Sequence, residues 1–219
     1  WTQGAGSLSE LQLTPSGTLG AELFNYTGPS DSQSSLGARY ENGVLSQSVY
    51  VSSLPGSTSG SDLYSIAVDD SGHLYVDGST ASGNGFGGPP LPSGRHLFKR
   101  KSDKSRVWTV DRSSITTSSM TRMRADSTES LVLVGSKGVG CGSQGVGHVS
   151  KLSPLGACSW SVGFNGSFDK TRLVLASNDD IIVAAVFSGT ATLGGAPLTS
   201  NASENIDVVK LDSAGTVKW

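Results

Sequence analysis

The chain has 219 residues, a formal net charge of −2, and charged residues at 16% of positions. A nearly neutral chain lacks the overall positive charge of a general nucleic-acid binder, and no apolar run approaches the roughly 20 residues that span a bilayer. Glycine is abundant, at 29 residues, and this composition favours a single domain of short strands and many turns.

The first quarter of the chain predicts two hairpins. Residues 8–14 pair with residues 18–26, and residues 36–41 pair with residues 45–51 around Asn42-Gly43, a favoured two-residue turn. The sequence begins at Trp1 without an initiator methionine or an apolar leader. We therefore expect a processed chain or a piece of a longer one.

The strongest hairpin follows at residues 63–80. Ile66 and Val68 share one face of its first strand, and Leu74 and Val76 share one face of its second, as period-two alternation requires. The turn between them begins at Asp69. Two further strands at 95–101 and 105–110 complete a four-stranded unit.

The same order of four strands then recurs twice. The predicted strands lie at 120–125, 131–135, 148–152 and 157–162, and then at 171–176, 181–187, 206–211 and 216–219. Equivalent first-strand positions recur at a period of about fifty residues: Leu11, Ile66, Met123 and Leu173. A β-sandwich would not explain why whole four-strand units align.

Four-stranded units at this period are typical of propeller blades. The sequence therefore predicts an all-β fold, a β-propeller of four antiparallel blades in one domain. The ring is either closed with four blades or part of a larger propeller. The predicted blades span about 8–53, 62–110, 119–162 and 170–219.

Each of the last three units places a tryptophan nine residues after a lysine. The pairs are Lys99 with Trp108, Lys151 with Trp160, and Lys210 with Trp219; Arg39 and Tyr50 stand in the first unit. Lysine and tryptophan are expected to share a face in diagonal positions, with the lysine stem covering the indole. We expect these aromatics to pack between adjacent blades. The alternative is a set of repeated sugar-binding sites.

Two stretches, residues 186–219 and residues 65–80, carry a family resemblance. They resemble the extracellular β-propeller repeat proteins of bacteria, algae and protists. The resemblance implies a secreted propeller with an adhesive or structural role. It supplies no agreed catalytic residues.

Three sequons begin at Asn25, Asn165 and Asn201, each expected at a strand end or in a loop and available for a glycan. The only two cysteines, Cys141 and Cys158, fall within one unit. They predict a disulfide contributing about 3 kcal/mol in the chain-entropy model. Sequons and a cysteine pair together favour a eukaryotic secreted glycoprotein.

Residues with catalytic or metal-binding chemistry show no defining pattern. His73, His96 and His148 lack zinc-ligand spacing and are expected to be solvated. Carboxylates in tight turns are expected to accept backbone N–H groups; these are Asp69, Asp70, Asp179 and Asp180. The sequence thus predicts no catalytic residue, no metal and no cofactor.

The densest cluster of positive charge lies in the second unit. It comprises Arg95, Lys99, Arg100, Lys101, Lys104 and Arg106. The cluster suggests a patch for a polyanion such as a sulfated polysaccharide. The competing explanation is a solvated sheet edge, because alternate residues of a strand point to opposite faces.

The predicted function is a non-catalytic structural or interaction propeller in a secreted or cell-surface assembly. Its partners would be other protein chains or flanking blades. A lectin that binds glycans is the alternative, and a glycan-active hydrolase comes third.

Trp1 and Trp219 both fit the outer-strand position, so one is surplus to a closed ring. This predicts a larger propeller or a partner chain at the seam, with a compact four-bladed ring as the alternative.

Overall fold

The computed structural model describes these residues: 7–14, 16–27, 33–52, 62–80, 89–103, 105–115, 121–136, 147–192, 196–200 and 204–219. Across these ranges the fold is all-β with antiparallel pairing, and helical structure is confined to one 3-10 turn at Arg112–Ser114. No helix in this part of the chain is long and apolar enough to cross a membrane. The chain divides into two compact units, Trp1–Asp111 and Arg112–Trp219.

The first unit contains two four-stranded sheets, each with its strands in chain order. Sheet 1 comprises β1 (Ser7–Leu13), β2 (Leu19–Thr27), β3 (Gln33–Glu41) and β4 (Val44–Ser52). Sheet 2 comprises β5 (Asp62–Val68), β6 (Leu74–Thr80), β7 (Gly94–Arg100) and β8 (Arg106–Asp111). Each sheet thus contains two hairpins in chain order, as predicted for each four-stranded repeat.

The second unit contains seven strands within the described ranges. They are β9 (Thr121–Ala125), β10 (Leu131–Ser136), β11 (Gly147–Leu152), β12 (Cys158–Leu175), β13 (Ile181–Thr192), β14 (Leu198–Thr199) and β15 (Asn205–Leu211). Backbone pairing joins them into one continuous sheet in the order β14-β13-β12-β11-β10-β9, with β15 also paired with β13. We call the part made of β9, β10, β11 and residues 158–164 sheet 3. Residues 165–175, β13 and β15 form sheet 4, which a bridge between Leu211 and Val217 extends.

Strand β12 runs through both of these sheets. Its first part pairs with β11 and its second part with β13. The two separate strands predicted at 157–162 and 171–176 are therefore one strand of 18 residues. The expectation that Asn165 lies at a strand end or in a loop is wrong for the same reason.

The turn between the first two strands is the same in all four sheets. It begins at Thr14, Asp69, Asp126 and Ala176, whose backbone N–H groups donate to the carbonyl four residues later. The fourth residue of each turn has a positive φ; these are Gly17, Gly72, Glu129 and Asp179. This is a type I turn followed by a left-handed residue, which sets the register of the hairpin.

The predicted alternation in the strongest hairpin is confirmed by the register, in which Ile66 pairs with Val76 and Val68 with Leu74. Buried side chains of sheet 2 form a cluster: Leu63, Ile66, Val68, Leu74, Val76, Leu91 and Phe98. A second buried cluster spans sheets 3 and 4: Val132, Val134, Val149, Phe164, Leu173, Ile181, Val183, Val209 and Leu211. Each unit therefore has its own core.

Each sheet has two faces that play different parts in packing. The front face contains the equivalent positions Leu11, Ile66, Met123 and Leu173, and the back face is the opposite one. In the first unit, β5 lies against β2 and β3, and the front-face Val68 meets Gly20 on the back of sheet 1. In the second unit, the back-face Val132 shares a cluster with Leu173. In both units, a back face packs on the front face of the next sheet.

Candidate functional site: lysine, carboxylate and tryptophan clusters

The predicted lysine and tryptophan residues lie on adjacent strands in sheets 2 and 3, and in sheet 4 the backbone N–H of Lys210 donates to the Trp219 carbonyl. Lys151 pairs directly with Trp160, and Lys99 with Trp108. They are therefore directly opposite one another, and the predicted diagonal arrangement is wrong. A register shift directly after each lysine, between Lys151 and Leu152 in sheet 3, realigns the strands.

In sheet 3 the lysine binds a turn carboxylate. Lys151 Nζ lies 2.6 Å from Asp126 Oδ2, and both side chains are largely buried. Asp126 Oδ1 accepts the backbone N–H groups of Thr128 and Ser130, each at 2.9 Å. The carboxylate thus ties its own turn to strand β11. The sequence did not single out Asp126, although its position as first turn residue matches Asp69.

The tryptophan of sheet 3 contacts the last hairpin turn of sheet 4. Trp160 Nε1 donates to the Ser213 carbonyl at 3.2 Å, and Lys151 Nζ reaches the same oxygen at 3.3 Å. The indole also lies over Gly215, where a Cβ atom would stand 2.8 Å from the ring. This tryptophan therefore joins one sheet to the next.

In sheet 4 the carboxylate comes from a different position of the turn. Lys210 Nζ lies 2.7 Å from Asp180 Oδ2, which also accepts a hydrogen bond from the Asn178 amide at 2.9 Å. These bonds, with that from Lys210 the stronger, lower the pKa of the Asp180 carboxyl. The first turn residue is Ala176, so the fifth residue supplies the anion instead. Trp219 remains exposed.

In sheet 2 a tyrosine connects the turn carboxylate to the lysine position. Asp69 Oδ2 accepts the Tyr75 hydroxyl and contacts His73 Nδ1, each at 2.9 Å. Lys99 Nζ lies 5.2 Å from the centroid of the Tyr75 ring, and the Trp108 ring centroid lies 6.2 Å from it. Tyr75 provides a hydroxyl where sheets 3 and 4 have aliphatic residues. Lys99 thus contacts the aromatic face of Tyr75.

In sheet 1 the lysine position holds Arg39, opposite Gly20. Its guanidinium donates to the Asp69 carbonyl in sheet 2 at 3.1 Å, and to Ser46 Oγ at 3.0 Å. It also pairs with Glu41. Here, too, the basic residue reaches the next sheet. The side chain of Tyr50 lies outside the described residues.

Turn carboxylates also connect neighbouring sheets. Asp70 accepts the hydroxyls of Thr14 and Ser16, and Asp179 accepts the Ser127 backbone N–H at 3.1 Å and its hydroxyl. The expectation that turn carboxylates bind their own backbone is met by Asp69, which accepts two N–H groups. Asp70 and Asp179 instead bind the preceding turn.

The histidines are not the solvated residues that the sequence suggested. His148 is 1% exposed and pairs with Gly135 and Gly163 on its two neighbouring strands. Burial, reinforced by the Arg112 charge, lowers the pKa of His148 to about 4. His96 is also buried, with Nε2 3.0 Å from the Pro92 carbonyl. Both precede a repeat lysine by three residues, and this repeated spacing is the signal in the sequence that marks them.

The predicted polyanion patch is not one exposed surface. Lys99 and Arg100 are each 1% exposed, whereas Lys101 lies at the surface. The guanidinium of Arg95 lies over the Tyr64 ring, 5.3 Å from its centroid. Arg106 is half-buried. Lys104 lies outside the described residues. Alternation along β7 puts Lys99 and Arg100 on opposite faces, and because both are buried they do not form the solvated edge of the competing explanation either.

The predicted covalent sites are only partly within the described residues. Cys158 is in a disulfide. The other cysteine of the chain, Cys141, lies outside the described residues, so that pairing stays a prediction. Asn165 is exposed and pairs with Thr192. Asn201 and the side chain of Asn25 lie outside the described residues.

No family model matches this sequence, and no curated protein matches it. Among solved structures, a protein of unknown function from Bacteroides caccae is similar, with a TM-score of 0.43 and 9% sequence identity. The alignment covers 98% of this chain and 81% of that one. At this identity and TM-score the similarity assigns no function.

Proposed function

We propose that this chain is a non-catalytic structural or interaction protein of a secreted or cell-surface assembly, with its four sheets acting as propeller-type blades. The contact between Trp160 and the turn at Ser213 carries the proposal. Trp160 occupies the tryptophan position that recurs in the last three repeats, and its indole joins sheet 3 to sheet 4. A repeat whose polar groups connect sheets is suited to building a scaffold.

The arrangement of the sheets supports the propeller-type architecture. Four-stranded antiparallel sheets pack back face to front face in both units, and this is how blades bury their apolar surfaces. The disulfide at Cys158 fits an oxidising compartment such as the cell exterior. These two features support the expected class of secreted propeller.

The geometry of Trp160 favours this function over a lectin. An indole that binds a sugar must present its face, but this ring lies over Gly215 and its N–H is bonded. Lys151 beside it is held by Asp126 and the Ser213 carbonyl. These groups are therefore engaged within the protein.

A glycan array and two tryptophan variants test the proposal. We expect no saccharide-specific binding by the whole protein. Trp160→Phe should lower the free energy of unfolding by about 1–3 kcal/mol, because an N–H bond and packed area are lost. Trp219→Phe is the matched control and should have a much smaller effect. Saccharide binding that is lost in either variant would establish the lectin instead.

A further inference from the structure

Sheet 4 presents an open back face that is mostly apolar but also carries Arg172, which pairs with Ala184, and Lys210, which pairs with Ile182 and is held by Asp180. Register places its members on one side: Val174 pairs with Ile182, and Ala184 with Val208. The open back face consists of Val174, Ile182, Ala184, Ile206, Val208 and Trp219, which range from half-buried to exposed. Ile206 is 72% exposed and Trp219 is 62% exposed. Contiguous apolar surface of this kind marks an interaction site.

The same positions in sheet 3 are covered. Lys151 pairs with Val132 and Lys210 with Ile182, which makes the two sheets equivalent residue by residue. Val149 of sheet 3 corresponds to Val208 of sheet 4 and is 1% exposed. The open back face therefore has the pattern of a face that packs against a further sheet.

Sheet 1 presents the complementary open front face. Register aligns its residues across four strands: Leu11, Leu13, Leu19, Tyr40 and Leu45. Leu13 is 73% exposed, whereas its equivalent in sheet 2, Val68, is buried against sheet 1. The first sheet thus exposes a face that sheets 2 and 4 bury.

The two packed pairs of sheets define what a back face binds. In each, the back face of one sheet covers the front face of the next, with apolar side chains on the receiving side. The open back face of sheet 4 is therefore shaped for a front face of this repeat. The front face of sheet 1 is of that kind, and both are open at once.

We propose that the open back face of sheet 4 binds the open front face of sheet 1 in a second copy of this chain. The inference rests on the proposed function, because it extends blade-type stacking between chains. Contact between two different surfaces is heterologous, so the chains associate head to tail. In sheet 1, the turn at residues 14–18 has no carboxylate, unlike the turns with Asp70 and Asp179. That turn therefore adds no carboxylate hydrogen bond to the contact.

Molar mass measured over a range of concentrations tests the association. The monomer mass is 22.5 kDa, and we expect twice this value or more at high micromolar concentration. Val208→Asp and Leu13→Asp should each weaken association about tenfold or more, since a charge would enter an apolar contact. Val107→Asp, at an exposed valine of sheet 2, is the matched control and should leave the mass unchanged. A chain that remains monomeric at every concentration would overturn the proposal.

Cross-linking identifies the two faces without disturbing the fold. A mixture of the single variants Leu13→Cys and Val208→Cys should form a disulfide-linked heterodimer, while Val107→Cys with Leu13→Cys should not. A double variant with both Leu13→Cys and Val208→Cys tests closure within one chain. If it forms an intramolecular disulfide at low concentration, the ring closes on itself and the second-copy proposal is overturned. A monomer with a silent glycan array would refute this inference alone. Saccharide-specific binding would refute the proposed function, whatever the mass.

Discussion

At the scale of single residues, Gly215 has two separate reasons to be glycine. Its φ is +86°, and a Cβ atom would meet the Trp160 ring. Gly17 has nearly the same φ, +87°, but open space around its missing Cβ. Gly17→Ala should cost about 1 kcal/mol from the backbone alone, and Gly215→Ala about 2–3 kcal/mol. Urea unfolding followed by tryptophan fluorescence measures the difference. Equal costs would show that the indole does not press on Gly215.

His148 should make stability depend on pH in a defined window. Its folded pKa is about 4, whereas the ordinary value is 6.5. Between these values the unfolded chain takes up a proton that the folded chain does not, so stability falls as pH falls. The loss is on the order of 3 kcal/mol, and His148→Gln should remove most of it.

Urea midpoints above pH 6.5 and near pH 4 measure this loss. Lys210 lowers the pKa of the Asp180 carboxyl, and Lys218 lowers that of the Asp212 carboxyl. The stabilisation from these two carboxylates is therefore lost only below the ordinary value of 3.8, outside the His148 window. An unchanged slope in His148→Gln would mean that another group titrates.

At the scale of elements, an ion pair holds a turn to a strand. Lys151 and Asp126 link the turn after β9 to β11, and the Asp126 side chain is 1% exposed. Lys151→Met should lower the free energy of unfolding by about 3–5 kcal/mol, because a buried carboxylate loses its counter-charge. Glu204→Gln removes the exposed pair with Lys170, 3.5 Å apart, and should cost less than about 1 kcal/mol. Thermal or urea unfolding compares the two variants. Similar small losses would show that Asp126 is satisfied by its turn.

At the scale of the whole molecule, two units each contain two sheets packed back to front. In each pair, one front face and one back face lie outside the contact between the two sheets. A further sheet of the same kind could pack on either of them. The predicted self-association belongs to this scale, because it depends on faces of sheets 1 and 4 and not on one residue. It should also make the midpoint of thermal unfolding rise with protein concentration, since the folded state alone is bound.

The sequence by itself determined the hairpins, their turns and the antiparallel order of strands within each four-stranded repeat. These features are local: alternation in 63–80 sets the faces of two strands, and Gly17 and Gly72 permit a positive φ in the turn. The nine-residue spacing of lysine and tryptophan likewise identified two adjacent residues of one hairpin. Such signals need no knowledge of a neighbouring sheet.

Only the tertiary structure decided what those residues bind. Trp160 is covered and Trp219 is exposed at equivalent positions, because burial depends on the neighbouring turn and not on the repeat itself. Lys99 lies beside the ring of Tyr75 where Lys151 lies beside Val132, so equivalent lysines have different neighbours on the opposite strand. Contacts between sheets join residues more than fifty positions apart, such as Trp160 and Ser213. Local alternation carries no information about such partners, since packing between sheets selects them.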